Sequence, residues 1–415
     1  MNLPFLYIDP GTGSALFSIL IGSAATLYFL GRALLIKMKV VLSGGKIKAS
    51  SALLNPYVIY NEGKQYTNVF KPVVDEFELR GINLLYLTSA DDDPILTETH
   101  NFVKAEYIGE GNKAFARLNM LNADVVLMTT PGLDVYQLKR SKGVKHYTHI
   151  LHAPSDATMY RLFGIDYFDS ILLTGEYQAE DIRLLEQQRG LPSKELVTAG
   201  CTYLDVFKQK IKLLPKDENH QFTVLVSPSW GPSAILSRFG EKLLDPLLKT
   251  GLHVIIRPHP QSRKSESLML EKLTEKYKGF SNLKWDYERE NIFSLSNADI
   301  MISDFSGIVF DYIFLFDKPV MYVKQGFDLC PYDAYDLGKD AIDKLWQFRT
   351  LREIGIELKE EEFNRIGETI KNASDSKELQ AARQNAKETA WQHRGEAGKR
   401  IVDYVTGIHE KINTP

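Results

Sequence analysis

Three short stretches put reactive side chains directly after apolar runs, where a buried strand would deliver them to the edge of a sheet. In the first, Ser303, Asp304 and Ser306 follow the run 299–303. Ile308, Val309, Tyr312, Ile313 and Phe316 then recur at helical spacing as far as Lys318-Pro319. A second apolar run, 320–323, completes a strand, polar turn, helix and strand, with Ser306 as the expected N-cap. A helix N-terminus carries unsatisfied N–H groups and a partial positive charge, so a phosphate at this turn would meet amides and two serine hydroxyls. The plainer alternative is that Ser306 only caps the helix and Asp304 only ends the strand.

The second stretch is Arg257-Pro258-His259-Pro260, which follows the apolar run 253–257. It falls at the carboxyl edge where open α/β sheets bind ligands. An imidazole there can donate to a phosphate oxygen or protonate it, and with Arg257 it would offset charge developing on a leaving phosphate. The third is His152, which ends the run 149–152 ahead of a helix start at Ser155-Asp156. His149, three positions earlier, would lie inside the strand as a structural residue. Ser229 closes the set, in Ser227-Pro228-Ser229-Trp230-Gly231 after the run 222–227, as a secondary phosphate contact. The glycines of Thr174-Gly175-Glu176 and Ala199-Gly200-Cys201 would admit either a ligand or tight packing.

Other chemistries lack their signatures. The chain has no G-x-x-x-x-G-K-(S/T), G-x-S-x-G or H-E-x-x-H, and no G-x-G-x-x-G after a strand. Asp91-Asp92-Asp93 precedes Pro94 and reads as a solvated loop rather than a metal-binding D-x-D, so no metal is implied. The two cysteines, Cys201 and Cys330, are far apart and form neither a disulfide framework nor a zinc site.

The stretch 297–323, with the R-P-H-P turn some forty residues before it, resembles the C-terminal domain of the CDP-glycerol glycerophosphotransferase family, the teichoic-acid primases and polymerases. In that family an R-x-H-P turn, a strand ending in (S/T)-D-(Y/F)-S-S, an F-D-(Y/F) helix and a G-K-P turn hold the pyrophosphate and nucleoside of a CDP-alcohol. Ser303, Asp304, Phe305, Ser306, Phe310, Asp311, Tyr312, Lys318 and Pro319 match. Gly307 stands where the second serine usually is, keeping an N–H but losing a hydroxyl, and Asp317 replaces the glycine before Lys318. The resemblance implies donor contacts from Arg257, Ser303, Asp304, Ser306, Gly307, Asp311 and Lys318, and catalytic roles for His152 and His259. His152 matches by place and type the histidine of a W-H-G-T motif taken as the base that deprotonates the acceptor. Ala153-Pro154-Ser155 departs from that motif and resembles an H-S-P variant. The co-substrate implied is a CDP-activated polyol, with no cofactor.

The elements that must position these residues are alternating apolar runs and helical segments. Runs at 57–60, 83–88, 124–129, 147–151, 170–173 and 195–199 alternate with helices at 67–79, 112–121 and 178–189, which means βα units on a parallel sheet. The theme repeats after the polar break at 214–219. Helices are expected at 236–249, 266–277 and 291–295, and one long final helix at 376–410. The expected fold is α/β: two Rossmann-like domains facing a cleft, the arrangement called GT-B, at 55–204 for the acceptor and 205–375 for the donor. Residues 376–415 are expected to cross back to the first domain.

Ahead of these, 11–31 holds no charge over about 21 residues, enough to span roughly 30 Å of hydrocarbon. Arg32, Lys37, Lys39, Lys46 and Lys48 follow it before any acid, so the positive-inside rule places the body in the cytoplasm. The expectation is a single-pass anchor at 1–31, a basic segment at 32–54 lying on membrane lipids, and location at the cytoplasmic membrane. With a net charge of −3 nothing points to nucleic acid. The function expected is transfer of a polyol phosphate to a hydroxyl of an envelope glycan or lipid-linked acceptor. A nucleotide-sugar glycosyltransferase and a catalytically silent scaffold remain open alternatives.

Overall fold

The computed structural model describes residues 54–414 except 216–218, 289, 325, 339 and 375. The expected anchor at 1–31 and the basic segment at 32–54, apart from Leu54, lie outside the described residues. Among the described residues no helix is long and apolar enough to cross a membrane.

Two all-parallel sheets organise the rest. The first contains β1 (Asn55–Asn61), β2 (Leu84–Thr88), β3 (Val103–Tyr107), β4 (Asn122–Met128), β5 (Gly143–Ile150), β6 (Ser170–Leu173) and β7 (Glu195–Thr198), in the order β3-β2-β1-β4-β5-β6-β7. The second contains β8 (Thr223–Val226), β9 (His253–Ile256), β10 (Leu283–Trp285), β11 (Ile300–Ser303), β12 (Val320–Tyr322) and β13 (Gly355–Glu357), in the order β10-β9-β8-β11-β12-β13. Central strands such as β2, β8 and β11 are buried along their whole length, as strands covered by helices on both faces must be. In each sheet the strand order reverses once, between β1 and β4 and between β8 and β11. Crevices at such switch points are where open sheets bind ligands.

Three strands carry no continuous apolar run and were not foreseen: β3, β10 and β13. All three are edge strands. An edge strand is half solvated, so charge enters its pattern, as Lys104 and Glu106 do in β3. The expected helix at 236–249 is two helices, Ile235–Phe239 and Glu241–Lys249, hinged at Gly240, whose φ of 39° is strained for other residues.

The expected final helix is likewise two, Lys377–Ala390 and Ala397–Asn413. The break holds His393 and Gly395 at positive φ, and the Asp205 carboxylate secures it by accepting from Trp391 Nε1 at 3.0 Å and Gly395 N at 2.8 Å. Arg383 of the Lys377–Ala390 helix pairs with Asp317 at 3.2 Å beside the second sheet. The Ala397–Asn413 helix buries Ile401, Val402, Val405 and Ile408 against Val69, Phe70, Val73 and Phe77 of the first. A side chain at Gly398 would collide with the Pro72 carbonyl, 2.6 Å away, so glycine here sets how close the two helices come.

Candidate active site

The carboxyl edges of both sheets open onto one cavity of about 580 Å³. On the second-sheet side it is walled by Ser227 and Pro228 after β8, the 257–260 turn after β9, and Ser306, Gly307 and Ile308 after β11. Opposite them, Lys64, Gln65, Thr67 and Asn68 follow β1. The two switch points therefore face one space, with the N-terminus of a helix on each side: Ile308–Phe316 and Thr67–Leu79.

The 303–308 turn is built differently from the sequence expectation in one respect. Gly307, not Ser306, occupies the cap position, and no side chain caps the helix. The Ser306 residue lines the cavity instead, while Val309 N and Phe310 N donate back to the Ser306 and Gly307 carbonyls at 3.2 and 3.0 Å. Ser303 and Asp304, expected to touch donor, are fully buried and brace the turn. Ser303 Oγ donates to the Ser227 carbonyl at 2.6 Å. The Asp304 carboxylate accepts from Ser229 N at 2.9 Å and Ile235 N at 3.0 Å. Burial raises its pKa, and those backbone donors oppose the rise. Ser229 is thus part of the same brace and does not line the cavity.

His259 lines the cavity, half-buried. The Gln261 N–H donates to its Nδ1 at 3.1 Å, and burial lowers its pKa, so the ring is neutral. A neutral imidazole that accepts at Nδ1 carries its proton on Nε2, which makes Nε2–H a hydrogen-bond donor. Arg257 also lines the cavity but is nearly buried, with one nitrogen on Asp286 at 2.5 Å and another on the Glu288 carbonyl at 2.7 Å. Asp286 in turn accepts from the Ser294 hydroxyl and Glu288 N. The guanidinium thereby anchors the turn that presents His259.

His152 follows β5, half-buried, and is not among the residues that line the cavity. Its ring packs edge-on against Tyr66 at 5.0 Å, between Gln65 and Thr67 of the cavity wall. Its Nδ1 lies 3.1 Å from the Tyr160 hydroxyl. Burial among these rings pushes its pKa down to about 4, so the imidazole is neutral at ordinary pH. His149, inside β5, is wholly buried and held at about 3 by the same cause, with the neighbouring His152 adding to it.

Two expected donor contacts stand away from the cavity. Lys318, at the far end of the Ile308–Phe316 helix, donates to the carbonyls of Ser296 and Ala298 and fixes the approach to β11. Asp311 sits one turn inside that helix, accepts from the Tyr203 hydroxyl at 3.3 Å, and is raised to about 7 by burial. Gly175 and Gly200 serve packing: a side chain at Gly175 would meet the Thr389 carbonyl at 2.2 Å, and one at Gly200 the Gln392 carbonyl at 2.6 Å.

Sequence reasoning missed the third side of the cavity, made by Tyr203 and Phe207 with Lys210, Glu290 and Asn291. The Tyr203 and Phe207 rings pack at a tilt with centroids 4.4 Å apart, and Lys210 pairs with Glu290 at 2.6 Å. The available signal was the polar Glu290-Asn291 pair at the mouth of the Ile292–Asn297 helix. It also missed Lys64 and Gln65, and took Thr67 and Asn68 only as the start of a helix.

Residues 214–406 match the family model described as CDP-glycerol:poly(glycerophosphate) glycerophosphotransferase. Among solved structures, the wall teichoic acid polymerase TagF soaked with CDPG is similar at TM-score 0.57 and 14% identity, covering 92% of this chain and 98% of that one. A putative UDP-N-acetylglucosamine 2-epimerase from Listeria monocytogenes gives 0.57 and 13% over 88% and 99%. UDP-GlcNAc 2-epimerase from Methanocaldococcus jannaschii gives 0.54 and 14% over 85% and 99%. No curated protein sequence matches significantly. The structural likenesses establish the GT-B-like pairing of parallel sheets. The matched residues include the 257–260 and 303–308 turns.

Proposed function

We propose that the chain moves a polyol phosphate, glycerol phosphate or a close relative, from a CDP-activated donor to a hydroxyl of an envelope glycan or lipid-linked acceptor, releasing CMP. The observation that carries this is the donor wall of the cavity. There a neutral His259 with Nε2–H and the N-terminus of the Ile308–Phe316 helix converge on one space within the family-matched region. Both supply neutral donors suited to a pyrophosphate.

In this account the acceptor oxygen attacks the β-phosphorus and the bond from that phosphorus to the bridging oxygen breaks. The hydroxyl proton passes to His152. His259 and the helix N–H groups hold the charge gathering on CMP, while Arg257, Asp304 and Lys318 keep the turns in place. The family's description and the CDPG soaked into TagF support CDP-glycerol as the donor to try first. The uncharged run at 11–31 and the basic residues after it support attachment to the cytoplasmic face of a membrane.

Calorimetric titration with CDP-glycerol, CDP-ribitol and UDP- and GDP-sugars tests the donor class. Binding of a CDP-alcohol in preference to the sugars is expected. Preference for a UDP- or GDP-sugar would favour a glycosyltransferase, and no binding at all would favour a scaffold.

A further inference from the structure

We propose that Tyr160 is a positioning residue for His152: its phenol oxygen accepts the imidazole Nδ1–H, leaving the Nε2 lone pair free for an acceptor proton. This rests on His152 as the base. The contact is direct, 3.1 Å between Tyr160 Oη and His152 Nδ1. Which nitrogen of a neutral imidazole carries the proton is set by the partner of the other. The pair shows no carboxylate on Nδ1, so the phenol takes the orienting place that an aspartate fills in a Ser-His-Asp arrangement. Burial holds the phenol above the ordinary tyrosine range, so it stays neutral and is not itself the base.

The backbone around Tyr160 is held more firmly than a surface turn needs. Phe163 sits in the left-handed region at φ 66°, an unfavourable state for an aromatic residue. Asp333, from the second half of the chain, keeps it there, with its carboxylate accepting from Phe163 N at 2.6 Å and Gly164 N at 3.2 Å. The Asp333 N–H donates to the Tyr160 carbonyl at 2.8 Å, and Leu162 N donates to the Pro331 carbonyl at 3.2 Å. Arg189 pairs with Asp333 at 2.9 Å and with Asp166 at 2.6 Å, closing the cluster. A side chain at Gly164 would strike Tyr160 Cβ at 2.7 Å, so glycine lets the turn fold onto Tyr160. On its other side, the Tyr160 ring meets His149 edge-on at 5.1 Å. The strain and its restraints converge on the orientation of one phenol.

The test is the histidine-15N-labelled full chain, with His152 assigned by the signal lost in His152→Gln. Wild type is expected to show the Nδ1–H tautomer. Tyr160→Phe, which removes only the hydroxyl, is expected to shift it toward Nε2–H. The same variant should cut turnover about 5- to 20-fold, the scale of one lost hydrogen bond, with CDP-glycerol affinity unchanged. An Nε2–H tautomer in wild type, or a tautomer unmoved by Tyr160→Phe whatever the rate does, overturns the proposal. The wild-type spectrum decides even if the variant folds poorly. Full turnover by His152→Ala overturns the base assignment itself, and with it the role of Tyr160. An inactive His152→Ala beside a fully active Tyr160→Phe overturns only the latter.

Discussion

The carboxylate of Asp304 accepts the backbone N–H of Ser229 at 2.9 Å, tying the turn after β11 to the loop after β8 across the switch point of the second sheet. Its other oxygen takes Ile235 N at 3.0 Å. Asp304→Ala leaves two buried donors unpaired, at about 1–3 kcal/mol each, so a loss of about 2–6 kcal/mol in unfolding free energy is expected. Urea melts measure it. A loss below about 1 kcal/mol would mean that the two loops are held by other contacts.

Ser306 presents the opposite case. It lines the cavity and makes no cap, so Ser306→Ala should leave the melting temperature alone. Removing one hydroxyl from a phosphate site should weaken CDP-glycerol binding by about 3- to 10-fold. Calorimetry on the variant checks both halves, and unchanged affinity would take Ser306 out of the donor site.

Asp156 caps a helix that belongs to the other half of the chain. It accepts from Trp346 N at 3.0 Å and Gln347 N at 2.8 Å, the first turn of the Trp346–Ile354 helix. Asp156→Ala should cost about 2–3 kcal/mol, a lost cap plus a buried N–H left unpaired. Thermal melts would contradict this if the variant matched wild type.

The pH dependence follows from the two histidines near β5. His152 must be neutral to act as a base, and burial holds it at about 4. The acid limb of kcat/KM due to this group should therefore lie well below pH 6, and a bend near 6.5 would contradict it. The same shift bears on stability. A folded-state pKa below the unfolded value near 6.5 means that the unfolded chain binds the proton first. The contribution is complete above about pH 6.5 and is lost as pH falls toward about 4, with His149 acting in the same sense.

Much of this was legible in the sequence because buried parallel strands are short apolar runs and their ends hold the polar residues that matter. His259 and Ser306 were found that way, and both line the cavity. What misled was reading every polar residue at a strand end as a ligand contact. Ser303 and Asp304 spend their hydrogen bonds on neighbouring loops, as does Lys318, whose donor contact came from the resemblance, and only the fold shows which backbone groups need them. The edge strands β3, β10 and β13 and the Gly240 and Trp391 breaks escaped because their signals are a mixed pattern or a single residue. Tyr203, Phe207 and Glu290 reach the site from segments far apart in sequence, a juxtaposition no local spacing encodes.

The central claim is that two histidines divide the work, His259 on the donor and His152 on the acceptor. CMP release with an acceptor-bearing membrane fraction, measured beside CDP-glycerol binding, tests it on wild type, His152→Ala and His259→Ala. Wild type should bind donor and release CMP. His152→Ala should lose about 10²- to 10⁴-fold in rate with donor affinity intact, whereas His259→Ala should lose both. A wild type that binds no CDP-alcohol and releases no CMP would contradict the account, as would a His152→Ala variant that turns over at the wild-type rate.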